Sequence, residues 1–551
     1  MNKIFQAIAI SATIITAASC SDFLTEKCYN AVSKEDYLNN ASEAENVLMG
    51  LYADTNGDAM YGFHLSILLN LGTDMEQVEG STSENFRIIP TNAFPTTQKE
   101  IQDTWAALYS GIYDANNFIE GLSVKMENYS VGDKILATVY MAEARALRAW
   151  FYFELVRRWG NVVKMENCAM SSDDPSTFEQ SSPEEIFEYI EEDLLYAESI
   201  LPYARKGDNR DYRLSKGAVQ GLLAKVYATW AGFPVNDESK WEKAALAAGR
   251  VINSGRHDLL PKFDSLWVNT NNGKWDPTES LIEVSFYNPT ANASSDPVSR
   301  IGKWNGVRTT MVSGVRGSCA GNVKCIHPFV LEWRSHTGDL REAISVANYR
   351  YQDADNIPDL WAGTAADDAD VSKKQKEKQN YTPAKWDIQK YVENGYIINS
   401  DKSNSNWYFL RYADVLLLYA EALNEWKGAP TTEAYAAINK VRRRAYGNPE
   451  NTSVCDLPDG MTQEEFREAV RKERGYELAY EGHRRTDLVR WGIYYDTIQK
   501  TSQDLANWWT ADGTFNYAVA RYTVEGQHEL LPIPQRDMLL CKKFVQNPNW
   551  N

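Results

Sequence analysis

The sequence predicts a mostly α-helical protein, built as one large scaffold that carries a long loop-rich insertion. Three observations carry this. Small and apolar residues recur at three- and four-residue steps through most of the first half and again in the C-terminal third. Capping residues and glycines stand where such helices should begin and end. Between 265 and 405 the helical period disappears, and Asn, Asp, Gly, Pro, Thr and Ser dominate.

The chain has 551 residues, 43% apolar and 24% charged, the composition of a globular protein rather than a disordered one. At ~150 residues per domain this length suggests about three to four domains, but a single scaffold with an insertion accounts for it better. Lys and Arg number 57 against 75 Asp and Glu, so the formal net charge is −18. A surface of that sign repels phosphate backbones, which excludes nucleic acid as a partner.

In chain order, the first element is an address. Lys3 is the only charge before a small and apolar run from Ile4 to Ala18. The run is shorter than the ~20 residues that a membrane-spanning helix needs. A basic start, a short apolar stretch and small residues at its end predict a secretory signal peptide over 1–19. The sequence Ala17-Ala18-Ser19-Cys20 resembles the lipobox of bacterial lipoproteins, with Ala17 where Leu is usual. Cys20 is therefore expected to be the diacylated N-terminus of the mature chain, and 20–34 its tether. Of seven Cys, six then remain (Cys28, Cys168, Cys319, Cys325, Cys455 and Cys541), an even number at spacings that leave both disulfides and free thiols open.

Helical patterns run through 35–53, 101–127, 184–201, 215–231 and 240–254, and Ala142, Ala146, Ala149, Phe153 and Val156 carry the same period between them. Ser182-Pro183-Glu184-Glu185 supplies an N-cap, a Pro at the first helical position and acids in the first turn. Gly160, Gly232 and Gly255 stand where helices should stop. Ala224-Lys225-Val226-Tyr227 is followed by Trp241, Ala244, Ala245, Ala248 and Val251, and Tyr419 by Tyr435, Ile438 and Val441. Small residues with aromatic plugs at such offsets are how tetratricopeptide helix pairs pack, though the loops here are longer than a 34-residue unit allows. In the loop-rich stretch, Leu281-Ile282-Glu283-Val284-Ser285-Phe286-Tyr287 predicts a strand.

The C-terminal third carries longer motifs. Arg411-Tyr412-Ala413-Asp414-Val415-Leu416-Leu417-Leu418-Tyr419-Ala420-Glu421-Ala422 resembles the signature helix of the SusD/RagB family of outer-membrane nutrient-binding lipoproteins. Glu473-Arg474-Gly475-Tyr476-Glu477-Leu478-Ala479-Tyr480-Glu481-Gly482-His483-Arg484, Asp487-Leu488-Val489-Arg490-Trp491-Gly492 and the ending Gln546-Asn547-Pro548-Asn549-Trp550 continue the likeness. So do Trp105, Ala115-Asn116-Asn117, Glu143-Ala144-Arg145-Ala146-Leu147-Arg148-Ala149-Trp150 and Trp159-Gly160-Asn161-Val162-Val163 in the first half.

The resemblance implies a single SusD-like fold over 35–551 on four degenerate tetratricopeptide-like helix pairs. It would divide into a helical part (35–264), a variable loop-rich region with short strands (265–405) and a signature region (406–551). The implied role is cell-surface capture of an oligo- or polysaccharide and its delivery to a TonB-dependent SusC-like transporter in the outer membrane, held there by the lipid anchor. Two rival readings are a glycoside hydrolase of helical architecture and a tetratricopeptide-like scaffold binding peptide or protein.

Glu473, Glu477 and Glu481 recur at four-residue steps, and a retaining glycosidase needs two carboxyls ~5–5.5 Å apart. Arg474, Arg484, Arg485 and Arg490 share the segment, however, and cations depress carboxylate pKa values where a general acid needs one raised. An ion-pair clamp is the better reading, for these and for Asp414 and Glu421. No His-Glu-x-x-His, Gly-x-Ser-x-Gly or phosphate-binding glycine loop is present, so neither a catalytic residue nor a cofactor or metal is expected. Asp353, Asp355, Asp367, Asp368 and Asp370 lack the Gly and distal Glu of a calcium loop.

A pyranose offers an apolar face to flat rings and a rim of hydroxyls to amides, carboxylates or guanidinium groups. The expected glycan-binding constellation is therefore aromatics flanked by amides on loops. Trp275 with Asn272, Tyr287 with Asn288, Trp304 with Asn305, and Phe86 and Phe94 with Asn85 and Asn92 fit it.

Overall fold

The computed structural model describes residues 37–78, 85–208, 210–286, 299–309, 318–352, 358–360, 380–393, 403–508 and 517–550. Helices α1 (Ala41–Ala53), α2 (Lys99–Lys125), α3 (Val131–Trp159), α4 (Pro183–Ile200), α5 (Lys216–Trp230) and α6 (Lys240–Asn253) form the first half. Each of α2 to α5 packs on the next, and α1 lies on α3. Their ends follow local chemistry. Ser182 and Glu185 make a reciprocal capping box at the start of α4. Gly160 ends α3 at φ +67°, a conformation that a Cβ resists.

The middle holds α7 (Asp264–Asn271), α8 (His327–Arg334), α9 (Arg341–Ser345) and α10 (Ile388–Tyr391). Its strands are β1 (Glu76–Val78, paired with β3), β2 (Ser280–Val284), β3 (Val323–Cys325), β4 (Val346–Ala347), β5 (Tyr349–Tyr351), β6 (Pro358–Leu360) and β7 (Thr382–Pro383). β8 (Trp407–Arg411) pairs antiparallel with β2, Ser280 opposite Arg411 and Val284 opposite Trp407. The strand read from Leu281 onward is thus present, begins one residue earlier and ends at Val284. Asn271, read as loop, instead closes the short helix α7.

Arg411 ends β8 and stands at the N-cap of α11 (Tyr412–Lys427). Then follow α12 (Thr432–Ala445), α13 (Gln463–Glu477), α14 (Arg484–Arg490), α15 (Tyr494–Trp508), α16 (Ala518–Tyr522) and α17 (Gln535–Leu540). α11 packs on α5, α6, α12 and α13, joining the C-terminal part to the first half. Leu222, Val226, Leu417, Ala420 and Ile438 all lie in one continuous core with Trp159 and Trp267. Among the described residues no helix is long and apolar enough to cross a membrane.

Candidate functional site

One loop face gathers aromatic rings and guanidinium groups from three distant stretches. A turn of 3-10 helix at Asn85–Ile88 sets Phe86 and Arg87 side by side, both half-buried. The Phe86 ring lies 5.1 Å from that of Trp304, edge to face, and Phe63 lies 4.7 Å from the same indole. Trp304 sits in a tight turn that needs glycine. A Cβ on Gly306 would stand 2.5 Å from the Gly302 carbonyl oxygen. Arg300 donates from Nε and Nη2 to Asp58 Oδ2 at 3.2 and 3.0 Å, and its guanidinium carbon lies 5.0 Å from the Phe63 ring centre. Arg87 approaches both Phe86 and Trp304 at 5.9 and 6.0 Å.

Two residues before Asp58, Asn56 lines a cavity of about 210 Å³. Its other walls include Tyr52, Trp150, Asp211, Tyr212 and Ser285. Asn56 Nδ2 donates to the Ser285 carbonyl at 3.1 Å, which ties the end of β2 to this turn. Tyr212 holds φ +65°, rare for a bulky residue, and its ring lies 6.0 Å from that of Trp275. Glu283 also borders the cavity, but its carboxyl is occupied. It accepts from Ser280 Oγ at 2.7 Å and Asn406 Nδ2 at 3.0 Å, and burial lifts its pKa to about 7 against those bonds.

Two of the sequence-predicted residues, Phe86 and Trp304, are thus brought together. Of the two, Phe86 keeps exposed surface, whereas Trp304, 5% exposed, and the remaining described candidates are not open to a ligand in this structure, which corrects the expectation that they stand free on loops. Phe94 is buried and stacked 5.2 Å from Trp550. Asn92 donates to Tyr494 Oη and Thr523 Oγ1 and accepts from Arg485, so its amide is spent. Asn272 donates to the Val268 and Tyr391 carbonyls and accepts from the Glu393 N–H. Asn305 donates to the Tyr480 carbonyl at 2.9 Å, and Trp275 is 9% exposed. For Asn272 and Asn305 the physical reason is the same. Loops without secondary structure must satisfy their backbone carbonyls, and buried amide side chains do it. Asn85 lies in the turn by its backbone, its side chain outside the described residues; Tyr287, Asn288 and Cys20 lie outside them entirely.

Arg87, Arg300, Asp58, Asn56 and Tyr212 were not read from the sequence. Only Asp54-Thr55-Asn56-Gly57-Asp58 carries a local signal, a polar turn after a helix.

The regularly spaced carboxylates are clamps. Glu477 accepts from Arg341 at 2.9 Å, Arg411 at 2.6 Å and Arg444 at 2.6 Å, all fully or nearly fully buried. Burial alone would raise its pKa, but the three guanidinium groups outweigh it and hold the carboxyl well below the usual range. Glu473 pairs with Arg341 and Arg442, and Glu481 with Arg411 and Lys385. Glu481 lies past the end of α13, beyond Tyr480 at φ +65°, so the clamp outlasts the helix that predicted it. Asp414 bridges Lys225 and Arg474, and Glu421 holds Arg490. Cys168, Cys319, Cys325, Cys455 and Cys541 are free thiols.

Residues 335–550 match the model of the SusD family, and residues 22–228 match one described as starch-binding, associating with the outer membrane. A SusD homolog from Bacteroides thetaiotaomicron, known by crystal structure, is 63% identical, with 94% of this chain and 98% of that one covered and a TM-score of 0.90. A SusD-like protein of Formosa agariphila is 25% identical over 100% of this chain and 99% of its own. A structure described as a laminarin-binding SusD-like protein shares the fold at 24% identity, TM-score 0.68, covering 93% of this chain and 100% of that one.

Proposed function

The chain belongs to the SusD family, and from that premise we propose that it is a cell-surface glycan-binding lipoprotein. It captures oligo- or polysaccharide without chemistry of its own and passes it to a TonB-dependent SusC-like transporter, tethered to the outer membrane through Cys20. The outer-membrane description of the matched model and the laminarin-binding relative support this reading. The observation that carries it is the half-buried Phe86 ring, backed by the buried Trp304, beside Arg87 and the Asp58–Arg300 pair on one face. Ring faces suit the apolar side of a pyranose, and guanidinium and carboxylate groups suit its hydroxyls.

The test is electrophoresis of the purified protein through gels containing starch, laminarin and other polysaccharides. We expect retardation by at least one, and weakening by about 1–3 kcal/mol in Phe86→Ala, by analogy with other aromatic stacking platforms. Retardation by none removes the glycan reading, and unchanged retardation in Phe86→Ala removes this face. Steady release of reducing ends from a retained polysaccharide would instead make the protein a hydrolase.

A further inference from the structure

The tip of the α2–α3 hairpin leaves unusual apolar surface in water. Val124 is 70% exposed, Val131 80%, Ile135 64% and Leu136 46%. Val124 stands in the last turn of α2, while Val131 and Ile135 are one helical turn apart at the start of α3 and share a face. Elsewhere, exposed Leu195, Leu246 and Leu340 stand singly, as is normal for a soluble surface, while Leu539, Leu540 and Val545 are a second exposed apolar group near the C-terminus, far in the chain from the N-terminal segment.

The N-terminal segment enters the described fold at this same tip. The Tyr129 hydroxyl, in the turn between the two helices, donates to the Leu38 carbonyl at 2.6 Å. Leu38 packs over Gly121 of α2, where a Cβ would come within 3.0 Å of its Cδ1. Lys125 Nζ donates to Asn39 Oδ1 at 3.4 Å. From Leu38 back to Cys20 the chain reaches at most about 60 Å even when fully extended. In a chain of net charge −18, the tip itself balances Lys125 and Lys134 against Glu127 and Asp133. It therefore brings no net negative charge to an anionic headgroup surface.

We infer that this hairpin tip rests on the lipid surface, Val124, Val131, Ile135 and Leu136 entering the headgroup boundary beside the anchored N-terminus. The contact rests on the reading of Cys20 as the lipidated residue. Acyl chains supply the anchoring, and the tip adds apolar area and fixes which end of the domain faces the membrane.

The mature lipoprotein, reconstituted in phosphatidylcholine–phosphatidylglycerol vesicles, tests it. An environment-sensitive dye is placed on Ile135→Cys, and on Leu246→Cys in α6 as a control, with signal from the native thiols subtracted. Nitroxide-labelled lipid is then added. Quenching at position 135 is expected to exceed that at 246 by about threefold or more, with a blue-shifted emission. Val131→Cys reads the same surface should Ile135→Cys fail to fold. Equal quenching at both positions on a chain that carries acyl mass overturns the lipid contact alone. A mature chain without acyl mass overturns the anchor and the contact with it. A dye at 135 shielded only when the transporter is added assigns the tip to a protein partner and overturns the lipid contact.

Discussion

Arg411 shows how much rests on a single side chain. Fully buried, it donates to Glu481 at 2.7 and 2.9 Å, to Glu477 Oε1 at 2.6 Å and to Glu279 at 3.2 Å, and its Nη2 reaches the Glu477 carbonyl at 2.7 Å. Removing it leaves Glu279, Glu477 and Glu481 buried with one cation fewer between them, Arg341, Arg444 and Lys385 remaining. Arg411→Ala is expected to lower unfolding free energy by about 3–5 kcal/mol in urea titration, and a loss under about 1 kcal/mol would refute the clamp. The four-residue spacing of Glu473, Glu477 and Glu481 made half of this network legible. Its other half was not. Glu279 is 132 residues away from Arg411 in the chain, and no local pattern couples them.

Among elements, the α2–α3 pair fits through one glycine. A Cβ on Gly111 would stand 2.7 Å from Cε2 of Phe151, so the helices meet where only hydrogen fits. Gly111→Val is expected to cost about 1–3 kcal/mol by overpacking, read as a lower urea midpoint with an unchanged slope. Several helix limits were legible to within a residue or two, though α1 begins at Ala41 where the pattern placed its start at 35. α4 runs Pro183–Ile200 where the pattern placed 184–201, and α6 Lys240–Asn253 where it placed 240–254. The Asn-rich stretch around Asn271 misled because α7 is held by distant carbonyls. Asn271 Nδ2 donates to Lys385 O at 3.1 Å, and Asn272 Nδ2 to Tyr391 O at 2.8 Å.

At the scale of the whole molecule, buried carboxyls of two kinds set the response to pH. Asp414, Glu477 and Asp487 are buried, yet neighbouring cations hold their pKa values well down. Their stabilisation is present at neutral pH and is lost on strong acidification. Glu76 and Glu283 behave oppositely, because burial, aided at Glu76 by Asp74, raises their pKa values to about 8 and about 7 from 4.5. Their contribution is complete below about 4.5, the unfolded value, and is lost as pH rises through 7 to 8. Buried His64, His257, His483 and His528, whose pKa values burial lowers from 6.5, act in the opposite sense at the acid end, so the test is a difference between proteins: from pH 5 to pH 8 the unaltered chain should lose about 1–3 kcal/mol in urea relative to Glu283→Gln. An identical slope in the variant would show that Glu283 is ionised in the folded protein.

The amino-acid sequence by itself determined the helical class, most of the helix limits and the family, all of which are written in short-range periodicity, caps and contiguous motifs. Tertiary structure alone decided which of the candidate aromatics keep exposed surface. Phe94 with its neighbour Asn92, and Phe86 with Arg87, look equivalent in sequence. Packing spends the first pair on Trp550 and Tyr494 and leaves the second at the surface beside Trp304. Burial of a loop residue depends on what covers it, and here the covering groups come from segments more than 200 residues away. No local period encodes that.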